Sequence, residues 1–345
     1  MEYKTDTSPK LKQDELIVIT GGGGFIGGNL VRYFREKGFT RVRTVDKKPL
    51  REWYVRVPEV ESLCLDVSDP LNCRRVCEGA TEVYNLAADM GGMGFIERFR
   101  VECLRSILIN THMIEAAYQA GASRYFFSSS ACAYNTLLQQ DSKVTALKES
   151  DAYPAMAERG YGWEKLVSEM FCQEYWAERG METFIARFHN VYGPNGTWDG
   201  GREKAPAAIC RKVVEAIDKQ DLRIKIWGNG EQTRSFMYIE DCLKGIDKIT
   251  HSKDLIATPI NLGSSELVSV NELVSKVESI AGVKLKREYD LGAPRGVAGR
   301  NSDNTFINQV LGWEPNTSLD VGLRETYDWI RGQYLNRKKG ERVVE

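Results

Sequence analysis

LIVITGGGGFIG, residues 16–27, runs a short apolar strand into a cluster of glycines and then into the start of a helix. Leu16–Thr20 is rich in branched side chains, as a strand buried on both faces requires. Phe25–Lys37 carries helical periodicity. Gly21, Gly24 and Gly27 therefore occupy a strand-to-helix turn with GxxGxxG spacing. Glycine allows the tight turn and the close approach of backbone to a pyrophosphate. The helix N-terminus beyond it offers unpaired N–H groups at the positive end of a dipole. The block Gly21, Gly24, Phe25, Ile26 and Gly27 is thus the expected phosphate-binding turn of a dinucleotide site.

Outward from this turn the alternation continues. Arg41–Val45, Ser62–Leu65, Glu82–Leu86, Arg124–Ser128 and Thr183–Phe188 read as strands, and Cys103–Ala120 and Tyr161–Arg179 as helices. Strands alternating with helices predict parallel βαβ units and a doubly wound α/β sheet. Asp46 ends the second strand, where a carboxylate hydrogen-bonds the adenosine ribose and repels a 2′-phosphate. The expected cofactor is therefore NAD rather than NADP, although Lys47 and Lys48 weigh the other way. Asp66 and Val67 follow the third strand, within reach of the adenine. Leu86, Ala87 and Ala88 follow the fourth, where small residues let a dinucleotide lie against the sheet.

After about Asn190 the pattern changes. A loop at Tyr192–Gly201 precedes a helix at Pro206–Ile217, a strand at Ile224–Trp227 and a turn at Gly228–Gly230. Met237–Thr250 reads as strand and helix belonging back with the main sheet. Asn261–Glu345 reads as short helices and loops, so a smaller, interleaved C-terminal lobe is expected. Its end, Arg337–Lys339, reads as a solvated helix end, and the first fifteen residues as a polar lead-in.

Composition excludes several classes. Lys plus Arg is 47 against 48 Asp plus Glu, a net charge of −1 over 345 residues; a nucleic-acid binder is usually basic. The N-terminus lacks the apolar core of a signal peptide, and no stretch approaches the roughly 18–20 apolar residues of a membrane span. A soluble, cytoplasmic chain without membrane association is expected. The eight cysteines form no CxxC pair, and a chain of this length needs no disulfide staples. Three scattered histidines speak against a metal site.

Tyr161 and Lys165 have YxxxK spacing, which puts both on one helix face. A tyrosine near its ordinary pKa of about 10 is a poor base at neutral pH. A neighbouring ammonium and a cationic nicotinamide are expected to lower it by favouring phenolate, so that it can take a proton as hydride leaves a sugar carbon. Three YxxxK matches occur, the others being Tyr33/Lys37 and Tyr334/Lys338. Only Tyr161 opens the helix after a strand ending in Ser128-Ser129-Ser130; the others read as structural or surface residues.

With these segments, and with RFHNVYGP at 187–194 and QTRSFMYIED at 232–241, the chain resembles the extended short-chain dehydrogenase/reductase superfamily. The resemblance implies a Rossmann domain, residues 1–190 with about 236–262, and a nucleotide-sugar-binding lobe, about 191–235 with 263–345. AADMGGMGFI at 87–96, SSAC at 129–132, GTWDGGREKAPAA at 196–208 and GRNSDN at 299–304 look like the GDP-mannose 3,5-epimerase family. That resemblance implies an NAD-dependent isomerase converting GDP-D-mannose to GDP-L-galactose, with GDP-L-gulose as the C5-only product. It implies Cys132 and Lys204 as an acid/base pair, Tyr161 and Lys165 as the redox pair, and Ser130 beside them. It further implies substrate contacts from Gly91, Ser130, Ala131, Cys132, Asn190, Glu203, Lys204, Ala205, Lys212, Gln232, Thr233, Arg234 and Arg300. Arg234 and Arg300 suit phosphate oxygens, which a guanidinium pairs with well. The stretch Cys132-Ala133-Tyr134-Asn135 departs from the aliphatic residue, tyrosine and proline usual after the family's cysteine.

The chemistry agrees with that assignment. Inverting a sugar carbon means removing an unactivated C–H proton, and oxidation at C4 acidifies the hydrogens at C3 and C5. A group on each ring face is then needed, and a cysteine and a desolvated lysine suit the task. Another nucleotide-sugar 4-epimerase or 4,6-dehydratase is the competing enzyme reading, although a dehydratase favours Asp-Glu where this chain has Ala131-Cys132. A non-catalytic dinucleotide-binding partner protein is the reading from another class. A homodimer is expected through the apolar faces of Cys103–Ala120 and Tyr161–Arg179.

Overall fold

Seven parallel strands form the main sheet of the computed structural model, which describes residues 12–294 and 296–340. Most of the expected N-terminal lead-in lies outside the described residues. The strands are β1 (Ile17–Thr20), β2 (Val42–Asp46), β3 (Glu61–Cys64), β4 (Glu82–Asn85), β5 (Arg124–Ser130), β6 (Glu182–Phe188) and β7 (Pro259–Leu262). Their spatial order is β7-β6-β5-β4-β1-β2-β3. β1 lies between β2 and β4, so the winding reverses there and opens a crevice beyond the carboxyl ends of the strands.

The helices are α1 (Phe25–Glu36), α2 (Pro70–Cys77), α3 (Met93–Arg98), α4 (Arg100–Gln119), α5 (Tyr161–Arg179), α6 (Ala205–Asp218), α7 (Ile239–Thr250), α8 (Val270–Ala281), α9 (Thr305–Leu311) and α10 (Leu319–Lys338). Strand residues alternate between the two sheet faces. Ile17, Ile19, Tyr84, Phe126 and Phe184 pack with Leu30 and Phe34 of α1 and Ile246 of α7. Val18, Val83, Tyr125, Phe127 and Ile185 pack with Val76 of α2, Met113 of α4 and Cys172 of α5. Both faces are covered, which is why the strands are nearly continuous apolar runs.

Three findings depart from the sequence reading. α2 is an additional helix, capped by Asp69, whose side chain accepts from the Leu71 N–H at 2.8 Å, with Pro70 at its first position. The C-terminal region contains the 20-residue helix α10 rather than short helices alone. The end of α10 is also not merely solvated. Arg337 pairs with Asp199 at 2.7 Å and stacks over the Trp198 ring, and Lys338 pairs with Asp218 at 2.8 Å. α6, α8 and α10 pack together, and no described helix is long and apolar enough to cross a membrane.

A charged cluster sits at the amino end of the sheet. Glu82 is fully buried and accepts from Arg124 and from the Tyr84 hydroxyl at 2.7 and 2.8 Å. His251 reaches Glu82 at 3.3 Å and Asp247 at 3.1 Å. Burial opposes charge on His251, but the two carboxylates outweigh it and push the ring up to about 10. A raised folded pKa contributes stability that is present below the unfolded value of 6.5 and lost as pH rises through about 10. His251→Gln should therefore destabilise the fold by roughly 2 kcal/mol near neutrality. In urea unfolding at a series of pH values, its difference from the parent should shrink as pH passes about 10; a pH-independent difference would contradict the ionic role.

Candidate active site

A cavity of about 290 Å³ opens above the carboxyl ends of β1, β4 and β5. Every residue expected at the dinucleotide lines it: Gly21, Gly24, Phe25, Ile26, Gly27, Asp46, Asp66, Val67, Leu86, Ala87, Ala88, Tyr161 and Lys165. The glycine turn is sterically dictated at two positions. Gly21 has φ +74° and lies against the Leu86 carbonyl, and a Cβ on Gly27 would sit 2.2 Å from the Gly21 carbonyl oxygen. No side chain caps α1, so its first turn meets the cavity with bare backbone. The Thr20 hydroxyl donates to Asn85 at 2.7 Å and accepts from the Leu86 and Ala87 N–H groups, which ties the ends of β1 and β4 together.

Asp46 is fixed by the N–H groups of Gly23 and Lys48, at 3.1 and 2.9 Å. The lysines that weighed toward a 2′-phosphate line the cavity too, and each has a protein partner there. Lys47 reaches Asp89 at 2.6 Å, and Lys48 donates to the Gly23 carbonyl at 3.3 Å.

Lys165 is buried, with its Nζ 3.7 Å from a Glu164 carboxylate oxygen and 5.5 Å from the Tyr161 ring centre, and it has no hydrogen-bond partner among the described residues. A buried ammonium left so is costly, and a ribose hydroxyl pair would satisfy it. These residues fit NAD.

Tyr161 and Cys132, both expected at the reacting centre, converge because α5 starts hard against the turn after β5. A Cβ on Gly162 would sit 2.2 Å from the Cys132 carbonyl oxygen. Tyr161 and Cys132 thereby join one cluster with Phe95, Ile96 and Cys103. Ser130 lines the cavity and accepts from the Cys132 N–H at 3.2 Å. Gly91 and Lys204 line it too, and the Gly92 N–H donates to the Arg202 carbonyl at 3.0 Å, which draws the Lys204 loop across the mouth.

Desolvation sets the electrostatics. Burial, with Cys132 and Glu164 nearby, holds the Tyr161 phenol well above its ordinary value. The expected lowering calls on a cationic nicotinamide together with the ammonium, and Lys165 is itself faced by the Glu164 carboxylate at 3.7 Å. Burial and Glu158 raise the Cys132 thiol, against Arg300 and Lys204. Burial lowers Lys204, against Cys132.

Other expected substrate positions lie outside the cavity lining. Ala131 is buried in the turn with Cys132, and Ala205 begins α6. The Asn190 amide donates to the Ser235 carbonyl at 3.2 Å. Glu203 pairs with Arg211 at 3.0 Å, Lys212 donates to the Lys225 carbonyl at 2.7 Å, and Gln232 donates to the Trp227 carbonyl at 2.8 Å. The Thr233 hydroxyl donates to the Ser142 carbonyl, and Arg234 donates to the Thr233 and Val297 carbonyls. Arg300 points its fork at Gln139, Cys132 and Glu158. Gln139, Glu158 and Glu164 were not singled out from sequence. Glu164 stood inside YGWEK, whereas Glu158 lies in a stretch with no motif.

The fold and this cavity define a nucleotide-binding enzyme, and the chain belongs to the NAD dependent epimerase/dehydratase family, whose sequence profile matches residues 17–263. It is 43% identical to a GDP-mannose 3,5-epimerase of Arabidopsis thaliana, over 95% of this chain and 85% of that protein. It is 44% identical to GDP-mannose 3,5-epimerase 1 of Oryza sativa subsp. japonica, over 93% and 83%. Among solved structures, a UDP-glucose 4-epimerase of Thermotoga maritima with UDP-glucose aligns with a TM-score of 0.82 at 23% identity, covering 92% of this chain and 99% of that one. MoeE5 in complex with UDP-glucose and NAD aligns with a TM-score of 0.77 at 26% identity, with the same coverage.

NAD⁺ should quench the protein's tryptophan fluorescence at concentrations about tenfold or more below NADP⁺, and Asp46→Ala should narrow that gap. Tighter binding of NADP⁺ by the parent would overturn the role given to Asp46.

Proposed function

We propose that the chain epimerises GDP-D-mannose at C3 and C5 to GDP-L-galactose, releasing GDP-L-gulose when only C5 inverts. The observation that carries this reading is a thiol and a desolvated amine close enough to bear on one another's charge: Lys204 lines the cofactor cavity with Tyr161, and Cys132 packs against Tyr161 behind that lining. The likeness to the two plant proteins supports the choice of sugar nucleotide.

The sugar's C3 and C5 hydrogens are too weakly acidic to remove until C4 is a ketone. NAD, when bound, supplies the hydride acceptor and donor for that oxidation and its reversal. Tyr161 takes the proton of the C4 hydroxyl and later gives it back, with Ser130 orienting that oxygen. Lys165 holds the ribose and favours the phenolate by its charge. Cys132 and Lys204 exchange protons with the ring carbons from opposite faces. Burial pushes the thiol up, which favours its protonated form, and pushes the amine down, which favours its free-base form, so one can give a proton while the other takes one. In this reading the described residues of 1–190 and about 236–262 form the cofactor half, and the other described residues hold the sugar nucleotide.

We further propose a homodimer in a reducing, cytoplasmic setting. Val101, Leu104 and Leu108 on α4 and Trp163, Met170 and Trp176 on α5 are exposed, and these two helices pack side by side. The eight cysteines are free thiols.

Incubation with GDP-D-mannose, resolved by chromatography and proton NMR, should yield GDP-L-galactose. Cys132→Ala should lower the rate by roughly a thousandfold while NAD stays bound; full turnover by that variant would contradict the assignment. Light scattering at micromolar concentration should give twice the chain mass, and a monomer would refute the helix-to-helix dimer.

A further inference from the structure

Arg300 is the most fully engaged side chain beside the proposed acid/base pair. It is 5% exposed, and each arm of its fork is spoken for. Nε donates to the side-chain amide oxygen of Gln139 at 2.6 Å, Nη1 approaches the Cys132 sulfur at 3.4 Å, and Nη2 donates to Glu158. Glu158 is fixed in turn by its own backbone. Its N–H donates to the Cys132 carbonyl at 3.1 Å, and its carbonyl accepts from the Trp163 N–H in the first turn of α5 at 3.2 Å. Thiol, guanidinium and carboxylate therefore form a closed ring whose members come from the turn after β5, from the strand Gly299–Arg300 and from the segment before α5.

We propose that Glu158 is a positioning residue of the proton-transfer site: it clamps Arg300 against Cys132 and offsets its charge, so setting the pH range over which the thiol and the Lys204 amine exchange protons. The inference rests on the reading of Cys132 and Lys204 as the acid/base pair. Two cations, Arg300 and Lys204, bear on the thiol, and Glu158 is the carboxylate that opposes them most strongly. The other polar neighbours are Ser130 on the turn after β5, Tyr161 on α5, Gln139 before the small lobe and Arg234 on the strand beside Arg300. Without the carboxylate, the thiolate gains a guanidinium with no counter-charge, and the Lys204 ammonium loses an attractive neighbour. Both groups then release their protons at lower pH, and the working range slides downward without narrowing.

The test is iodoacetamide labelling of the NAD-bound protein through a neutral-to-alkaline pH series, with mass spectrometry of the peptide bearing Cys132. Glu158→Gln keeps the shape and an acceptor for Arg300 but removes the charge. At a fixed pH below the parent's midpoint it should label about tenfold faster, because its thiol ionises at lower pH. Its profile of sugar-proton exchange against pH should move the same way with its width kept. Arg300→Lys keeps a cation but cannot span three partners, and it should label more slowly than the parent. Unchanged labelling in either variant that retains bound NAD overturns the proposal. Shifted labelling in a protein that never exchanges sugar protons supports the role of Glu158 and sinks the epimerase reading. Unchanged labelling beside full epimerisation does the reverse.

Discussion

Removal of water from the carboxyl ends of β4 and β5 is the constraint on which the rest of the site depends. It raises the Tyr161 phenol and the Cys132 thiol and lowers the Lys204 amine, and it leaves the Lys165 ammonium without a hydrogen-bond partner among the described residues. Each of these groups is out of balance in the protein alone. In the proposed reading a bound dinucleotide answers the need of Lys165, and a sugar hydroxyl that of Tyr161. The site is thus prepared for its ligands by the same desolvation that makes it costly to build.

The scaffold behind the site is polar but paired. Arg187 and Glu169 are both nearly fully buried and meet at 2.7 Å, and Glu169 also accepts from the Ser129 hydroxyl at the end of β5. Asn261 on β7 accepts from the Tyr134 hydroxyl at 2.6 Å and bonds His189 at 3.0 Å. Burial holds that imidazole down at about 3, so it stays neutral. These bonds fix the turn after β5 from behind, while Gly162 fixes it from the front. Ser130 and Cys132 are therefore held by rigid elements rather than by a free loop.

The sheet and the cofactor turn were legible because both are written locally. Alternating strand and helix patterns and a glycine spacing need only neighbours in sequence, and every dinucleotide position taken from them lines the cavity. α2 escaped because its buried face is made of Cys73, Val76 and Cys77 among polar residues, although Asp69-Pro70 was a start signal. α10 escaped because its inward face is sparse, and its basic end is claimed by Asp199 and Asp218, 138 and 120 residues away in sequence. Arg300 was expected to contact substrate from the resemblance, with phosphate as a suitable partner for its guanidinium; its contacts to Cys132, 168 residues away, and Glu158, 142 residues away, were not legible. Contacts of that kind carry no periodicity, so the residues that tune the thiol could not be found before the fold was.

The central claim is that C4 is oxidised and reduced within one pocket while C3 and C5 trade protons with water. GDP-D-mannose deuterated at C4, turned over in ordinary water and followed by deuterium NMR, tests it most directly. The product should keep its C4 deuterium, because the hydride returns from the same bound cofactor, and a second label placed at C5 should wash out. Loss of the C4 deuterium to solvent, or retention of the C5 label in an inverted product, would contradict the account.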